Sequence, residues 1–176
     1  MKISIFVILL AFSIESFAQG CVPARIELTG KGATDQSGTL LKFSMKYLGC
    51  EPLRVQRESL PWGARGAIGL TVIENNGLQT PLEQLGYISD PDSDDIELIP
   101  GKEYSGAIGL STRFRDIDSA RLASGVTVSW VYTLQSRTGV VIGPVQGSVV
   151  IGGSNDQNRG QSAPSLKVDT DASFGR

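Results

Sequence analysis

The residue types in this sequence restrict the chemistry that the protein can do. The chain of 176 residues contains no histidine and only two cysteines, Cys21 and Cys50. It therefore lacks the usual general base, the Ser-His and Cys-His nucleophile systems and the commonest transition-metal ligand. Paired carboxylates stay open as an alternative, but two of them must converge across a cleft, which a sequence does not show. We expect a protein that is not an enzyme.

An acidic loop, SDPDSDD at residues 89–95, is the candidate metal site. Asp90, Asp92 and Asp94 alternate along the chain, as oxygen ligands do at the start of a calcium-binding loop. The match then ends, because Asp95 stands where the turn glycine belongs and a glycine stands where the closing glutamate belongs. A solvated turn is the competing interpretation. We therefore expect no cofactor and keep calcium as an alternative, with these three aspartates as its candidate ligands.

Two further segments are candidates for contact with a partner protein. Trp62 follows a proline in a connecting segment, where it either covers the end of a core or points outward as an interface anchor. Arg113 and Arg115 lie in a charged stretch that is either a solvated connection or a recognition loop. The predicted partner-binding residues are Trp62, Asp92, Asp94, Arg113 and Arg115.

The first residues are typical of an export signal. Lys2 precedes an apolar run from Ile3 to Phe12, and small residues at 16 and 18 match a signal-peptidase site. We predict that residues 1–18 are removed and that the protein is periplasmic or secreted. Because exported domains often use two cysteines as a bridge, we expect a disulfide between Cys21 and Cys50. Lipid attachment at Cys21 is the alternative.

The charge balance argues against a nucleic-acid partner. Sixteen basic and 18 acidic residues give a net charge of −2 without basic clusters, so the electrostatic footprint of a nucleic-acid binder is missing. No stretch approaches the roughly 20 apolar residues that a membrane helix needs. We expect another protein as the partner, and no transmembrane segment.

Alternating apolar residues predict eight or nine short strands and almost no helix, which is typical of an antiparallel β-sandwich. The clearest strands lie at residues 39–47 and 126–134; residues 30–38 are predicted as a turn, 78–87 as a return strand after an Asn-Gly hairpin signal, and 118–123 as one helical turn. Residues 19–152 are predicted as one domain, and residues 153–176 as a disordered tail, because they contain little that can be buried.

Several motifs resemble those of small exported bacterial proteins of the Ig-like β-sandwich type. These are the corner Gly49-Cys50, the motif from Ser59 to Gly63 that contains Leu60-Pro61-Trp62-Gly63, the turn from Ile99 to Lys102, the segment from Ser105 to Ser111, and the segment from Val128 to Tyr132. The resemblance implies an all-β, Ig-like sandwich and carries over no catalytic residue. A more remote similarity, to sandwich domains that accompany secreted metalloproteases, implies an inhibitor-like module.

These observations favour a non-enzymatic protein-binding domain of the bacterial envelope. Its sharpest form is an inhibitor or immunity protein against an exported hydrolase or toxin. Two alternatives stay open: an envelope structural or assembly component, and a calcium-dependent adhesion or carbohydrate-binding module.

Overall fold

The computed structural model of the protein describes residues 23–64, 66–86 and 94–152. The predicted export signal, the predicted tail and Cys21 lie outside the described residues, as do Asp90 and Asp92. The described chain forms eight strands, one short helix and one 3-10 turn. The strands are β1 (Ile26–Asp35), β2 (Gly38–Tyr47), β3 (Leu53–Gln56), β4 (Ile68–Glu74), β5 (Asp95–Leu98), β6 (Glu103–Gly109), β7 (Val126–Gln135) and β8 (Val141–Ile151); the helix is α1 (Ile117–Ala123), and the 3-10 turn is Arg57–Ser59.

The strands form three antiparallel sheets. Their orders are β1-β2-β6, β3-β5 and β4-β7-β8. The prediction of an all-β protein built from eight or nine short strands is confirmed at this level, and so is the helical turn that becomes α1.

The two three-stranded sheets bury one face each, because apolar and polar residues alternate along their central strands. In β2 the side chains from Leu41 to Tyr47 are buried at every second position, and β7 does the same from Val126 to Leu134. The buried faces meet at Phe43 and Trp130, whose ring centroids lie 5.4 Å apart with the ring planes at 88°. Trp130 is 4% exposed and belongs to the core.

The predicted turn at residues 30–38 is wrong, because β1 continues to Asp35 and only two residues separate it from β2. The glycines that suggested a turn serve packing instead. A Cβ added to Gly30 would lie 2.7 Å from Cη2 of Trp130, and one added to Gly32 would lie 2.5 Å from Cγ1 of Ile151. Side chains of the opposite sheet fill the space that β1 leaves empty.

The predicted return strand at residues 78–87 forms only isolated bridges in its described part. Gly77 has a φ of +82°, and the amide of Glu74 donates to the carbonyl of Thr80 at 2.9 Å. Ile73 then bridges to Pro81 before the chain leaves the edge of β4. The amide of Leu82 donates to the carbonyl of Val72 at 2.9 Å, so hydrogen bonds to β4 flank Pro81 on both sides and the missing N–H of the proline is not needed there.

Candidate protein-binding surfaces

The outward side of the β1-β2-β6 sheet, which we call the charged face, carries ions of both signs. One cross-strand row joins Glu27, Lys46 and Glu103, so that opposite charges alternate across three strands. In another row Lys31 lies directly opposite Lys42, which places like charges together. The Ser44 hydroxyl donates to the Glu103 carboxylate at 2.5 Å. This face is well suited to contact with water.

The outward side of the β4-β7-β8 sheet, which we call the neutral face, has no charged residue in its three complete cross-strand rows. Nine residues from three adjacent strands make up these rows. They are Ile73, Thr127 and Val150; Thr71, Ser129 and Ser148; and Gly69, Val131 and Gln146. Small, β-branched and uncharged side chains therefore form a contiguous surface.

The apolar members of the neutral face are accessible. Val131 is 50% exposed and Val150 is 55% exposed, whereas Ile73 is partly buried. Single exposed apolar residues are ordinary on protein surfaces, but a contiguous patch without charged residues shares the depletion of charge found at the centre of protein interfaces. The neutral face is therefore the described surface best suited to bind another protein.

Trp62, one of the predicted contact residues, is partly buried and packs against the core. Gly106 in β6 lies beneath its indole ring, and a Cβ there would overlap the ring. Because Gly106 lies opposite the inward-pointing Phe43, the ring covers the margin of the core rather than the charged face. The lack of a side chain at Gly106 makes room for this indole ring.

Arg113 and Arg115 have different surroundings although only one residue separates them. Arg113 is 6% exposed, whereas the Arg115 side chain is 59% exposed and pairs with Glu83 at 2.5 Å. Backbone hydrogen bonds join this segment to residues 83–85, with the Leu85 amide donating to Arg113 and the Arg115 amide to Glu83. Of the two arginines, Arg115 is the one with an accessible side chain.

Only the end of the acidic loop is described. Asp94 is exposed, and its carbonyl accepts a hydrogen bond from the Arg57 amide at 2.9 Å. Asp95 lies between Arg54, at 2.8 Å, and Arg137, at 3.0 Å. The hydrogen bond from Arg137 and the charges of both arginines lower the pKa of Asp95. No group of three acidic, histidine or cysteine side chains within residues 23–64, 66–86 and 94–152 is arranged to hold a metal ion.

A buried polar network fixes α1 against the start of β2. Thr39 is fully buried, and its hydroxyl donates to Oδ1 of Asp118 at 2.6 Å. The Thr39 amide donates to Ser111 at 2.8 Å and to Asp118 at 3.0 Å, while Nε of Arg121 donates to the Thr39 hydroxyl at 3.0 Å. These hydrogen bonds, foremost the one from the Thr39 hydroxyl, lower the pKa of Asp118. The network holds the segment that follows Arg115 in one position.

The sequence-predicted residues do not form one described site. Trp62 lies over β6, the Asp94 carbonyl accepts from the Arg57 amide, and Arg115 pairs with Glu83, so each of the three has its own neighbours. Asp92 lies outside the described residues, and so does Cys21, so the Cys21–Cys50 disulfide stays a prediction. Within the described chain no helix has the length and apolar character needed to cross a membrane.

Comparison of the chain with protein-family models and with curated proteins gave no match.

The neutral face is the feature that reasoning from the sequence missed. Part of the signal was readable, since the outward positions of β7 and β8 carry Thr127, Ser129, Val131, Gln146 and Ser148 without a charge. What the sequence did not provide was the strand order that places β4 beside β7 and so completes the surface.

Proposed function

We propose that this chain is a non-enzymatic protein-binding domain of the bacterial envelope, with an Ig-like β-sandwich fold and a Cys21–Cys50 disulfide. The observation that supports it is the neutral face, where nine outward residues in three adjacent strands carry no charge while the opposite sheet carries charges of both signs. The apolar run from Ile3 to Phe12 supports an exported location.

The proposed partner is another exported or envelope protein, and its sharpest form is a hydrolase or toxin that this chain inhibits. Interface cores are depleted in charged residues, because a charge that loses its water without gaining a partner destabilises the complex. A partner with a flat, weakly charged surface fits the neutral face best. The absence of histidine agrees with a role that depends on contact rather than on acid-base chemistry.

The test is affinity capture of the tagged mature protein from its native envelope, followed by measurement of the dissociation constant for the retained protein. Val131→Lys places a charge at the centre of one row of the neutral face, where the exposed side chain leaves the fold intact. We expect binding to weaken at least about tenfold, which corresponds to about 1.4 kcal/mol. The matched control, Ser105→Lys, adds the same charge to the exposed side of the charged face, opposite the uncharged Ser44, and should bind like the wild type.

Two results would contradict the proposal. Unchanged binding by Val131→Lys would exclude the neutral face as the partner-binding surface. A loss of binding in Arg115→Ala, with Val131→Lys unaffected, would place the contact in the charged stretch that the sequence predicted.

The intact mass of the exported protein tests the disulfide, since a bridge removes two hydrogens and a lipid adds several hundred daltons.

A further inference from the structure

The indole nitrogen of Trp130 is a buried donor without an acceptor in the part of the chain that the structure describes. Trp130 is 4% exposed, and its Nε1 is buried and has no hydrogen-bond partner among the described residues. A buried N–H that has lost its water and gained no acceptor destabilises the fold. Native proteins usually satisfy such a group, often with an ordered water. The surroundings of this nitrogen indicate what binds it.

Trp130 lies beneath the seam, our name for the line along which β1 runs beside β8 near Gly30 and Gly147. On the β1 side, a Cβ added to Gly30 would lie 2.7 Å from Cη2 of the ring. On the β8 side, a Cβ added to Gly147 would lie 2.8 Å from Cε2, the ring atom that is bonded to Nε1. The nitrogen therefore lies close to the backbone of β8, at the seam.

The backbone groups of Leu28, Gly30 and Gly32 in β1 point toward the seam. The Leu48 amide donates to the Arg25 carbonyl at 2.9 Å, so these two residues form a hydrogen-bonded pair that continues the β1-β2 register. Hydrogen-bonded and non-hydrogen-bonded pairs alternate in an antiparallel ladder, so the odd-numbered residues of β1 bond β2. The even-numbered residues direct their N–H and C=O groups away from β2.

The facing edge of β8 follows from the same alternation. The Leu82 amide donates to the Val72 carbonyl, so Val72 directs its backbone groups away from β7. Val128, which lies opposite Val72, therefore directs its own groups toward β8 and bonds Val149. The residues of β8 that direct their backbone groups away from β7 are Gln146, Ser148 and Val150.

No strand pairing joins the two edges in the described structure, since β1 pairs with β2 alone and β8 with β7 alone. The N–H and C=O groups that face each other across the seam therefore need other partners. Carbonyl acceptors lie on both sides of the line beneath which the unsatisfied indole nitrogen is buried.

We propose that a buried water molecule binds in the seam, where it accepts a hydrogen bond from Nε1 of Trp130 and donates one to a backbone carbonyl of each facing edge. The acceptors are the carbonyls beside the indole, Leu28 or Gly30 on β1 and Gln146 or Ser148 on β8. Buried waters typically make about three such bonds. This goes beyond the proposed function, because the site lies inside the sandwich and not on the neutral face.

The bound water joins two strand edges that no ladder connects. Edges with free N–H and C=O groups add strands from other chains unless something occupies those groups. A water that bonds both edges and the indole closes this side of the sandwich, and it satisfies the buried donor at the same time.

The test is NMR of the exported full-length protein with ¹⁵N at its indole nitrogens. The chain contains two tryptophans, so Trp62→Phe leaves the Trp130 signal alone. We expect a cross-peak between the Trp130 indole proton and water that has the sign of the diagonal in a NOESY spectrum and the opposite sign in a ROESY spectrum. Dipolar contact with a bound water changes sign between the two experiments, whereas chemical exchange does not.

The matched control is Ser148→Ala, which removes the hydroxyl of β8 and keeps its backbone. A hydroxyl proton exchanges with water and can imitate a bound water, so the cross-peak should persist in this variant. The proposal would be overturned by the absence of the cross-peak, by its loss in Ser148→Ala, or by the sign of the diagonal in both spectra. A scalar coupling through a hydrogen bond from Nε1 to a protein carbonyl would overturn it as well.

Discussion

The charged face and the neutral face are built from similar strands but present different chemistry. Each outward surface belongs to a three-stranded antiparallel sheet whose other side is buried against the same core. On one surface Glu27, Lys46 and Glu103 alternate in sign, whereas the corresponding rows on the other contain only uncharged residues such as Thr71, Ser129 and Ser148. On both sheets the inward residues must be apolar because they pack in the core. The two sheets therefore differ in the charge of their outward residues.

The largest effect on stability is expected in the core between the two sheets. Trp130 contacts Phe43, and its indole fills the space left by Gly30 and Gly147. We expect Trp130→Ala to lower the free energy of unfolding by about 3–5 kcal/mol, because it leaves a large cavity between the sheets. Chemical denaturation measures this loss. Because the two sheets share this core, both should unfold in the same transition.

The matched comparison is Trp62→Ala. This tryptophan is only partly buried at the margin of the core, so its loss should be clearly smaller. An equal loss of unfolding free energy in the two variants would mean that packing at the margin beside β6 contributes as much to stability as packing at the centre of the core.

An intermediate effect is expected at the network between α1 and β2. Asp118→Ala removes the acceptor of the Thr39 hydroxyl and amide, and we expect a loss of about 2 kcal/mol at neutral pH. The pKa of Asp118 is lower in the folded protein than in the unfolded chain. Its contribution is therefore complete above the unfolded pKa of about 3.9 and is lost as the pH falls through the folded value.

The stability difference between the wild type and Asp118→Ala should consequently shrink on acidification. Urea denaturation at a series of pH values from neutral to acid measures it. A difference that stayed constant down to the lowest pH would show that the Asp118 charge contributes nothing to the network.

The smallest effect is expected on the charged face. Lys31 lies opposite Lys42, and Lys31→Glu would replace repulsion with attraction. We expect a gain of about 0.2–1 kcal/mol that decreases at high salt, because exposed charges are screened. Lys31→Gln only removes the repulsion, so its stability should lie between those of the wild type and Lys31→Glu. Thermal melts at low and high salt compare the three proteins.

Reasoning from the sequence succeeded where the signal is local. The alternation from Leu41 to Tyr47 and from Val126 to Leu134 placed β2 and β7 correctly, because side chains in an extended chain point to opposite sides at every step. It failed at Gly30 and Gly32, which look like turn residues until Trp130 and Ile151 from the other sheet are seen to occupy the space beside them.

The predicted contact residues show the same difference between what local sequence indicates and what packing decides. The accessible Arg115 and the exposed Asp94 were identified from composition, yet Arg113 is buried although it belongs to the same charged stretch. Local sequence does not distinguish the two arginines, because burial depends on what packs over each of them.

The sequence by itself determined the all-β character, the inward residues of the two central strands and the lack of histidine chemistry, since these follow from residue type and from spacing within single segments. The tertiary structure alone decided which strands became neighbours. Thr71, Ser129 and Ser148 lie far apart in the chain and form one row only because β7 pairs with β4 on one side and with β8 on the other. Cross-strand register between distant segments depends on how the whole core packs, and that register created the neutral face.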